Sequence, residues 1–309
     1  MKAAFIEHHG GPEVLKFGEM PDPVAGPGQV LVDIVAASVN GADWKVREGK
    51  SNPIFKFPYI LGRDFSGVVS ALGAGVSDLK VGDEVFAVCD VGQEGAYAEK
   101  IAIKAAIVAK KTGALSHVDA AALALAGLTA LCTVEDTLKL KKGETILIQG
   151  GAGGVAAFAI QLAKHLGAHV ITTASGSKRE FVEALGADEV IDYTAVDFTE
   201  AARDIDVVLD TIGGRTVERS LAVLRPGGHL LTAVADDDVE LAARYEAAGM
   251  RFSGIVVDPD PVGLRGLVEL VEQGKLRVHV QETFPFERVV EAHRALESGH
   301  LQGKLVLTI

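Results

Sequence analysis

Cysteine, tryptophan and long apolar runs are scarce in this chain of 309 residues. Two cysteines, Cys89 and Cys132, cannot form a disulfide framework; they read as free thiols of a reducing compartment. No uninterrupted apolar run approaches the roughly 20 residues that span a bilayer. The start, from Met1 to His9, lacks the apolar core of a secretion signal. These absences lead to the expectation of a cytoplasmic protein with no membrane partner. No run of like charge marks a disordered tail. The net charge of −12 argues against a nucleic-acid partner. Nine histidines are scattered, and none forms a histidine pair with an acid at metal-ligand spacing.

The chain has a sizeable core to build, with 48% hydrophobic residues, and its length suits two domains. Residues 2–6, 15–19, 29–39, 65–72, 84–88 and 96–103 read as short strands with glycine and proline punctuation. That pattern suggests a compact β-rich domain. The character changes near Leu115. Ser116 to Asp119 can cap a helix over 120–128, and 129–138 reads as a second helical stretch. From Glu144 strands at 145–149, 169–173, 189–191, 206–210 and 229–234 alternate with helices, clearest at 155–166, 178–185 and 215–224. Such alternation predicts a doubly wound parallel sheet with helices on both faces. A further strand is read at 250–257, helices at 262–273 and 286–298, and a closing strand at 304–309. The tail does not read as a third domain; it can return to the β-rich part and complete it.

One stretch organises the rest. Ile146, Leu147 and Ile148 form a buried strand, followed by a glycine turn and an apolar helix. Gly151, Gly153 and Ala156 spell G-x-G-x-x-A. The first small residue permits the bend, the second a close approach to a pyrophosphate, the third tight helix–strand packing. The helix N-terminus offers N–H groups and a positive dipole end to phosphates. A purely structural turn is the plainer alternative.

A site for NADH usually carries an acid about 20 residues past the glycines. No acid lies between Gly150 and Arg179; Ser175, Ser177, Lys178 and Arg179 follow the second strand instead. Hydroxyls and cations suit a 2′-phosphate, so the cofactor is expected to be NADPH. Alternatively the cations merely decorate a helix start, a poor place for them beside a positive dipole end.

Several stretches in order resemble the zinc-free, quinone oxidoreductase-like branch of the medium-chain dehydrogenase/reductase superfamily. They are Ala37-Ser-Val-Asn-Gly-Ala-Asp43, Pro58-Tyr-Ile-Leu-Gly-Arg-Asp-Phe-Ser-Gly-Val-Val69, Lys80-Val-Gly-Asp-Glu-Val85, Gly95-Ala-Tyr-Ala-Glu99 and Leu125-Ala-Gly-Leu-Thr-Ala130. The glycine turn, Asp210-Thr-Ile-Gly-Gly214 and Gly299-His-Leu-Gln-Gly-Lys-Leu-Val306 complete the set. The resemblance implies an α/β protein: a GroES-like catalytic domain over 1–117, a Rossmann NADP-binding domain over 118–258, and a segment over 259–309 returning to the first. It also implies an active cleft between the two domains.

Zinc-dependent relatives draw a ligand from the stretch matching Ser38 to Asn40 and another from a Gly-His-Glu motif. Here the second place reads Gly62-Arg63-Asp64. A guanidinium is no ordinary zinc ligand, so no metal is expected. Arg63 can be structural or substrate-facing. Polarisation of the acceptor then falls to hydrogen-bond donors. Family position points to Asn40 and Tyr59 as catalytic donors, with Asp43 as a structural acceptor; Tyr59 is equally read as an aromatic packed beside Pro58. Gly41 stands where the family commonly has proline.

The same resemblance assigns cofactor contacts to Thr129, Gly151, Gly153, Gly154, Val155, Ser175, Lys178, Asp210, Ala233, Val256 and Lys304. Lys304 is alternatively a solvent-facing strand end. The implied activity is NADPH-dependent hydride delivery to quinones. Reduction of the C=C bond of enones or alkenals is the alternative within enzymes, and a low-turnover NADPH-binding redox sensor is the alternative outside them. A homodimer is expected, with 250–257 as a sheet edge or, equally, an internal strand.

Overall fold

The computed structural model describes residues 1–51, 56–234 and 239–309. The chain divides into two compact units: residues 1–128, 258–274 and 278–309, and residues 129–257 with 275–277. The first division falls inside a helix, later than the change of character near Leu115. Residues 275–277 join the second unit because Gln161 pairs with the backbone of Arg277, accepting from its N–H at 2.8 Å and donating to its carbonyl at 3.1 Å.

The first unit opens with β1 (Lys2–Ile6), β2 (Lys16–Glu19) and β3 (Gln29–Val39). Helix α1 (Gly41–Arg47) follows, then β4 (Tyr59–Ile60), β5 (Asp64–Leu72), β6 (Glu84–Val88), β7 (Lys100–Lys104), β8 (Val108–Lys110) and α2 (His117–Leu131). Strand β3 alternates as a half-buried strand should, with Val30, Val32 and Ile34 inside. Residues 96–99, read as strand, make only an isolated bridge, Ala98 opposite Ala3. Helix α1 was missed because it is short; its sequence mark is Asp43 three residues past Asn40, whose carboxylate accepts from the Asn40 N–H at 2.8 Å.

The second unit begins in the last turn of α2. The expected second helix there is a π-helical turn, Cys132–Thr137, closed by Leu138 N–H on the Thr133 carbonyl at 2.9 Å. Then come β9 (Thr145–Gln149), α3 (Gly154–His165), β10 (His169–Ala174), α4 (Arg179–Ala184), β11 (Glu189–Asp192), α5 (Phe198–Ala201), β12 (Ile205–Asp210), α6 (Arg215–Ser220), β13 (Leu224–Thr232), α7 (Val239–Ala247) and β14 (Arg251–Gly254). Six parallel strands lie in the order β11-β10-β9-β12-β13-β14. Counted along the chain that is 3-2-1-4-5-6, the doubly wound Rossmann order. Central β9 is covered on both faces, so Ile146, Leu147 and Ile148 are all fully buried. Strand β14 ends at Gly254, short of the expected 257, and occupies the sheet edge.

The chain then returns to the first unit with α8 (Pro261–Glu272), β15 (Val280–Pro285), α9 (Val289–Glu297) and β16 (Lys304–Thr308). Strand β16 pairs antiparallel with β3, setting Leu305 opposite Val39 and Leu307 opposite Ala37. It thereby completes a seven-stranded sheet, a second sheet of three strands being β2-β1-β4. Buried Arg47 of α1 anchors α9, donating to Glu297 Oε1 at 2.7 Å and meeting His293 Nδ1 at 2.8 Å. Burial and the neighbouring guanidinium hold His293 down to about 3, so it stays neutral.

Candidate functional site

In the second unit, β9 ends at Gln149 and the chain turns at once. Gly150 carries the left-handed conformation, with φ of 76°, which corrects the placing of the bend at Gly151. Gly151 is required for space: a Cβ there would sit 2.1 Å from Thr172 Oγ1. Gly153 is the N-cap of α3 and provides no side-chain cap. Gly153, Gly154 and Val155 are half-buried, while Ala156 is fully buried beneath them. A turn whose only side chain is the methyl of Ala152, opening onto a 12-residue helix, fits a pyrophosphate. In open parallel sheets ligands bind where the strand order reverses, and β9 and β12 flank that reversal.

At the end of neighbouring β10, Ser175 and Ser177 hydroxyls lie 3.1 Å apart, and Lys178 follows half-buried. Arg179, by contrast, turns back onto its own helix and sheet, donating to Glu183 and to the Val190 carbonyl. An acid that sequence reading missed, Asp192 at the end of β11, also borders this spot. A Cβ on Gly176 would sit 2.6 Å from Asp192 Oδ2. Hydrogen bonds from Thr194, first its hydroxyl and then its backbone N–H, hold Asp192 below the usual carboxylate range.

Of the other expected contacts in this unit, Asp210 is buried and points into its own loop. It accepts from Gly213 N–H at 2.7 Å and Thr232 Oγ1 at 3.3 Å, and burial raises its carboxyl. Ala233 donates its N–H to the Asp210 carbonyl at 2.9 Å. Thr129 is buried in the last turn of α2. Val256 lies beyond β14 and is 76% exposed.

In the first unit the structure gathers Asn40, Asp43 and Lys304 around Asp64. Asp64 is fully buried and accepts from Ser38 Oγ at 2.8 and 2.9 Å, Asn40 Nδ2 at 3.0 Å and Leu125 N–H at 3.0 Å. Lys304 is only 5% exposed, so it is no solvent-facing strand end. Its ammonium donates to the Val39 carbonyl at 3.0 Å and Asn40 Oδ1 at 2.5 Å. Burial lowers its basicity, opposed by the charges of Asp64 and Asp43. Asn40, expected as a donor to substrate, thus has both ends of its amide engaged within the protein. Asp43 Oδ2 also accepts from Tyr97 OH at 2.8 Å. Burial and the charge of Asp64 push the Asp43 carboxyl up to about 7.

Tyr59 stands apart from this cluster. It is half-buried on β4, and its phenol donates to Glu94 Oε2. Burial and Glu94 both raise it above its ordinary value. Glu94 belongs to no sequence pattern that singles it out, being 35 residues away in the chain.

Residues 26–116 match the family model described as alcohol dehydrogenase GroES-like domain, and 185–307 that described as zinc-binding dehydrogenase. The mitochondrial NAD(P)H oxidoreductase RTN4IP1 of Mus musculus is 33% identical, over 100% of this chain and 89% of its own. The chloroplastic NADPH-dependent alkenal/one oxidoreductase of Arabidopsis thaliana is 36% identical, over 99% of this chain and 79% of its own. The solved quinone oxidoreductase from Coxiella burnetii superposes with a TM-score of 0.95 at 35% identity, covering 100% of this chain and 99% of that one. The chain belongs to the quinone oxidoreductase-like branch of the medium-chain dehydrogenase/reductase superfamily.

As a member of that branch, the chain departs from the zinc-ligand pattern in a defined way. Ser38 donates to Asp64, and Arg63 is 5% exposed, its carbonyl accepting from Cys89 N–H at 2.7 Å. Among the described residues, no group of three or more His, Cys, Asp or Glu side chains could hold a metal ion.

Proposed function

We propose that this oxidoreductase uses NADPH, without zinc, to reduce conjugated carbonyl compounds, with quinones as the leading acceptor class. The glycine turn of the second unit, with Ser175, Ser177 and Lys178 at the end of the next strand, carries this reading. Gly151, Gly153, Gly154 and Val155 would hold the pyrophosphate, and the serines with Lys178 the 2′-phosphate. Asp192 opposes that phosphate by charge: Thr194 engages its Oδ1, and Oδ2 faces Gly176 between the two serines. NADPH, when bound, supplies the hydride.

Tyr59 is the donor that family position supports: burial and Glu94 keep its half-buried phenol protonated, so it can hydrogen-bond to an acceptor oxygen, although the same shift weakens it as an acid. Asn40 acts by position: Lys304 and Asp64 fix both ends of its amide. Independence from zinc is supported by the residues at 38 and 63, neither of which suits the metal. The open edge at β14 supports pairing with a second copy, which sedimentation at micromolar concentration would check.

The similarity to an alkenal/one oxidoreductase favours a second reading, reduction of the enone C=C bond. A panel of two quinones and two enones, each with NADPH after chelation, separates the readings. Quinone turnover unaffected by chelation supports the first. Turnover with enones alone moves the function to ene reduction. Tight NADPH binding with no turnover on any acceptor contradicts both and leaves a sensor.

A further inference from the structure

We infer that Asp192 sets the choice between the two nicotinamide cofactors: its carboxylate accepts the 2′-hydroxyl of NADH and repels the 2′-phosphate of NADPH, so the chain keeps NADH as a working second cofactor. The inference deepens the reading of this turn as the NADPH site and rests on it. The acid of a dinucleotide site is expected at the end of the second strand. In this chain that strand ends in Ala174 and Ser175, with no acid. The neighbouring third strand supplies one instead. Strands β10 and β11 run parallel, and their register sets Asp192 level with Ala174.

The fold brings this carboxylate to the same spot as the hydroxyls. After β10 the chain turns through Ser175, Gly176 and Ser177, and the two serine hydroxyls lie 3.1 Å apart. Gly176 stands between them, and a Cβ there would sit 2.6 Å from Asp192 Oδ2. Oδ1 is engaged by Thr194, accepting from its N–H at 3.0 Å and its hydroxyl at 2.6 Å. Those two bonds, then the Gly176 N–H and the charge of Arg179, hold Asp192 ionised. A carboxylate offers about four acceptor sites. Thr194 occupies two and Gly176 one, which leaves a site for a ribose hydroxyl. Asp192 and Ser175 are half-buried and Gly176 and Ser177 exposed, so a ligand reaches all of them.

The two cofactors meet this acid in opposite ways. NADH presents a hydroxyl, which donates to the carboxylate. NADPH presents a phosphate of about −1.5 to −2 charge near pH 7, which accepts and is repelled. Ser175, Ser177 and Lys178 attract that phosphate, whereas the Arg179 guanidinium is directed to Glu183 and the Val190 carbonyl. The preference for NADPH is therefore smaller than the serines and Lys178 alone would set.

Asp192→Asn tests this, because the amide keeps an oxygen for Thr194 and loses the charge. Dissociation constants for NADPH and NADH are read by nicotinamide fluorescence with no acceptor present. D192N is expected to bind NADPH about three- to tenfold more tightly, as removal of one screened like charge at the surface predicts. It should bind NADH about threefold or more weakly, for the lost charge-assisted bond. The NADPH gain should shrink as salt is raised from about 0.05 M to about 0.5 M. Asp192→Ser, also neutral, should move both affinities in the same directions, and keeps the test open if the amide disturbs the loop. An acid that only holds its own loop through Thr194 would weaken both cofactors together when replaced. That result, or an unchanged ratio of the two affinities, overturns the inference. If wild type prefers NADPH and neither variant changes that preference, only this inference fails. If wild type binds neither dinucleotide, the reading of the turn fails with it.

Discussion

The Lys304 ammonium donates to the side-chain oxygen of Asn40 at 2.5 Å, while the nitrogen of the same amide donates to Asp64 at 3.0 Å. One amide thus bridges a buried cation and a buried anion. Removing the cation leaves Asp64 and Asp43 without a counter-charge, and breaking such a pair from one side costs about 3–5 kcal/mol. Lys304→Met should lower unfolding stability by about 3 kcal/mol or more, measured by urea denaturation. A loss within experimental error of zero would mean the cluster is already neutral.

Asp43 sets a pH dependence of its own. Its folded carboxyl is raised to about 7 from an unfolded value of 3.8. The folded state therefore binds the proton more tightly, and the resulting stability is complete below about pH 4 and lost as pH rises through about 7. Asp43→Asn should remove this contribution, so the gap between mutant and wild-type midpoints should narrow or reverse from about pH 5 to about pH 8. A gap independent of pH would show that Asp43 is ionised throughout.

The glycine turn predicts a binding defect separable from folding. Gly151→Ala places a methyl 2.1 Å from Thr172 Oγ1, so the turn must move. The cost should be about 1–3 kcal/mol in stability, with NADPH affinity weakened by roughly tenfold or more, read by nicotinamide fluorescence. Affinity equal to wild type would show that the cofactor does not use this turn.

Lys178 should discriminate between cofactors. Lys178→Ala is expected to weaken NADPH binding by roughly tenfold, the worth of a charge-assisted bond, and to leave NADH binding within about twofold. Equal losses for both would assign Lys178 a structural role.

Much of this was legible in the sequence, for reasons that differ by residue. The strand β9, its glycine turn and α3 announced themselves because buried parallel strands are continuous apolar runs and the turn tolerates only small residues. The sequence suggested that the tail could rejoin the β-rich part; that β16 pairs with β3 could not be read from it. Tyr59 was visible and its partner Glu94 was not, since no local period links residues brought together by a turn far along the chain. Asp64 was seen only as a place in a motif; its three donors come from β3, the residue after it, and the middle of α2. Lys304 could be read as exposed or buried, and pairing of β16 with β3 decides for burial. Asp192 carries no such signal, because the acid of a dinucleotide site is expected at the end of the second strand and Asp192 ends the third.

The central claim is tested most directly by kcat/KM for NADPH against NADH with one quinone as acceptor, in chelated enzyme, with the uncatalysed rate subtracted. The account predicts quinone turnover that favours NADPH by roughly tenfold or more, as a phosphate held by Lys178 and two hydroxyls requires. Equal efficiency with both cofactors, or turnover that needs added zinc, would contradict it.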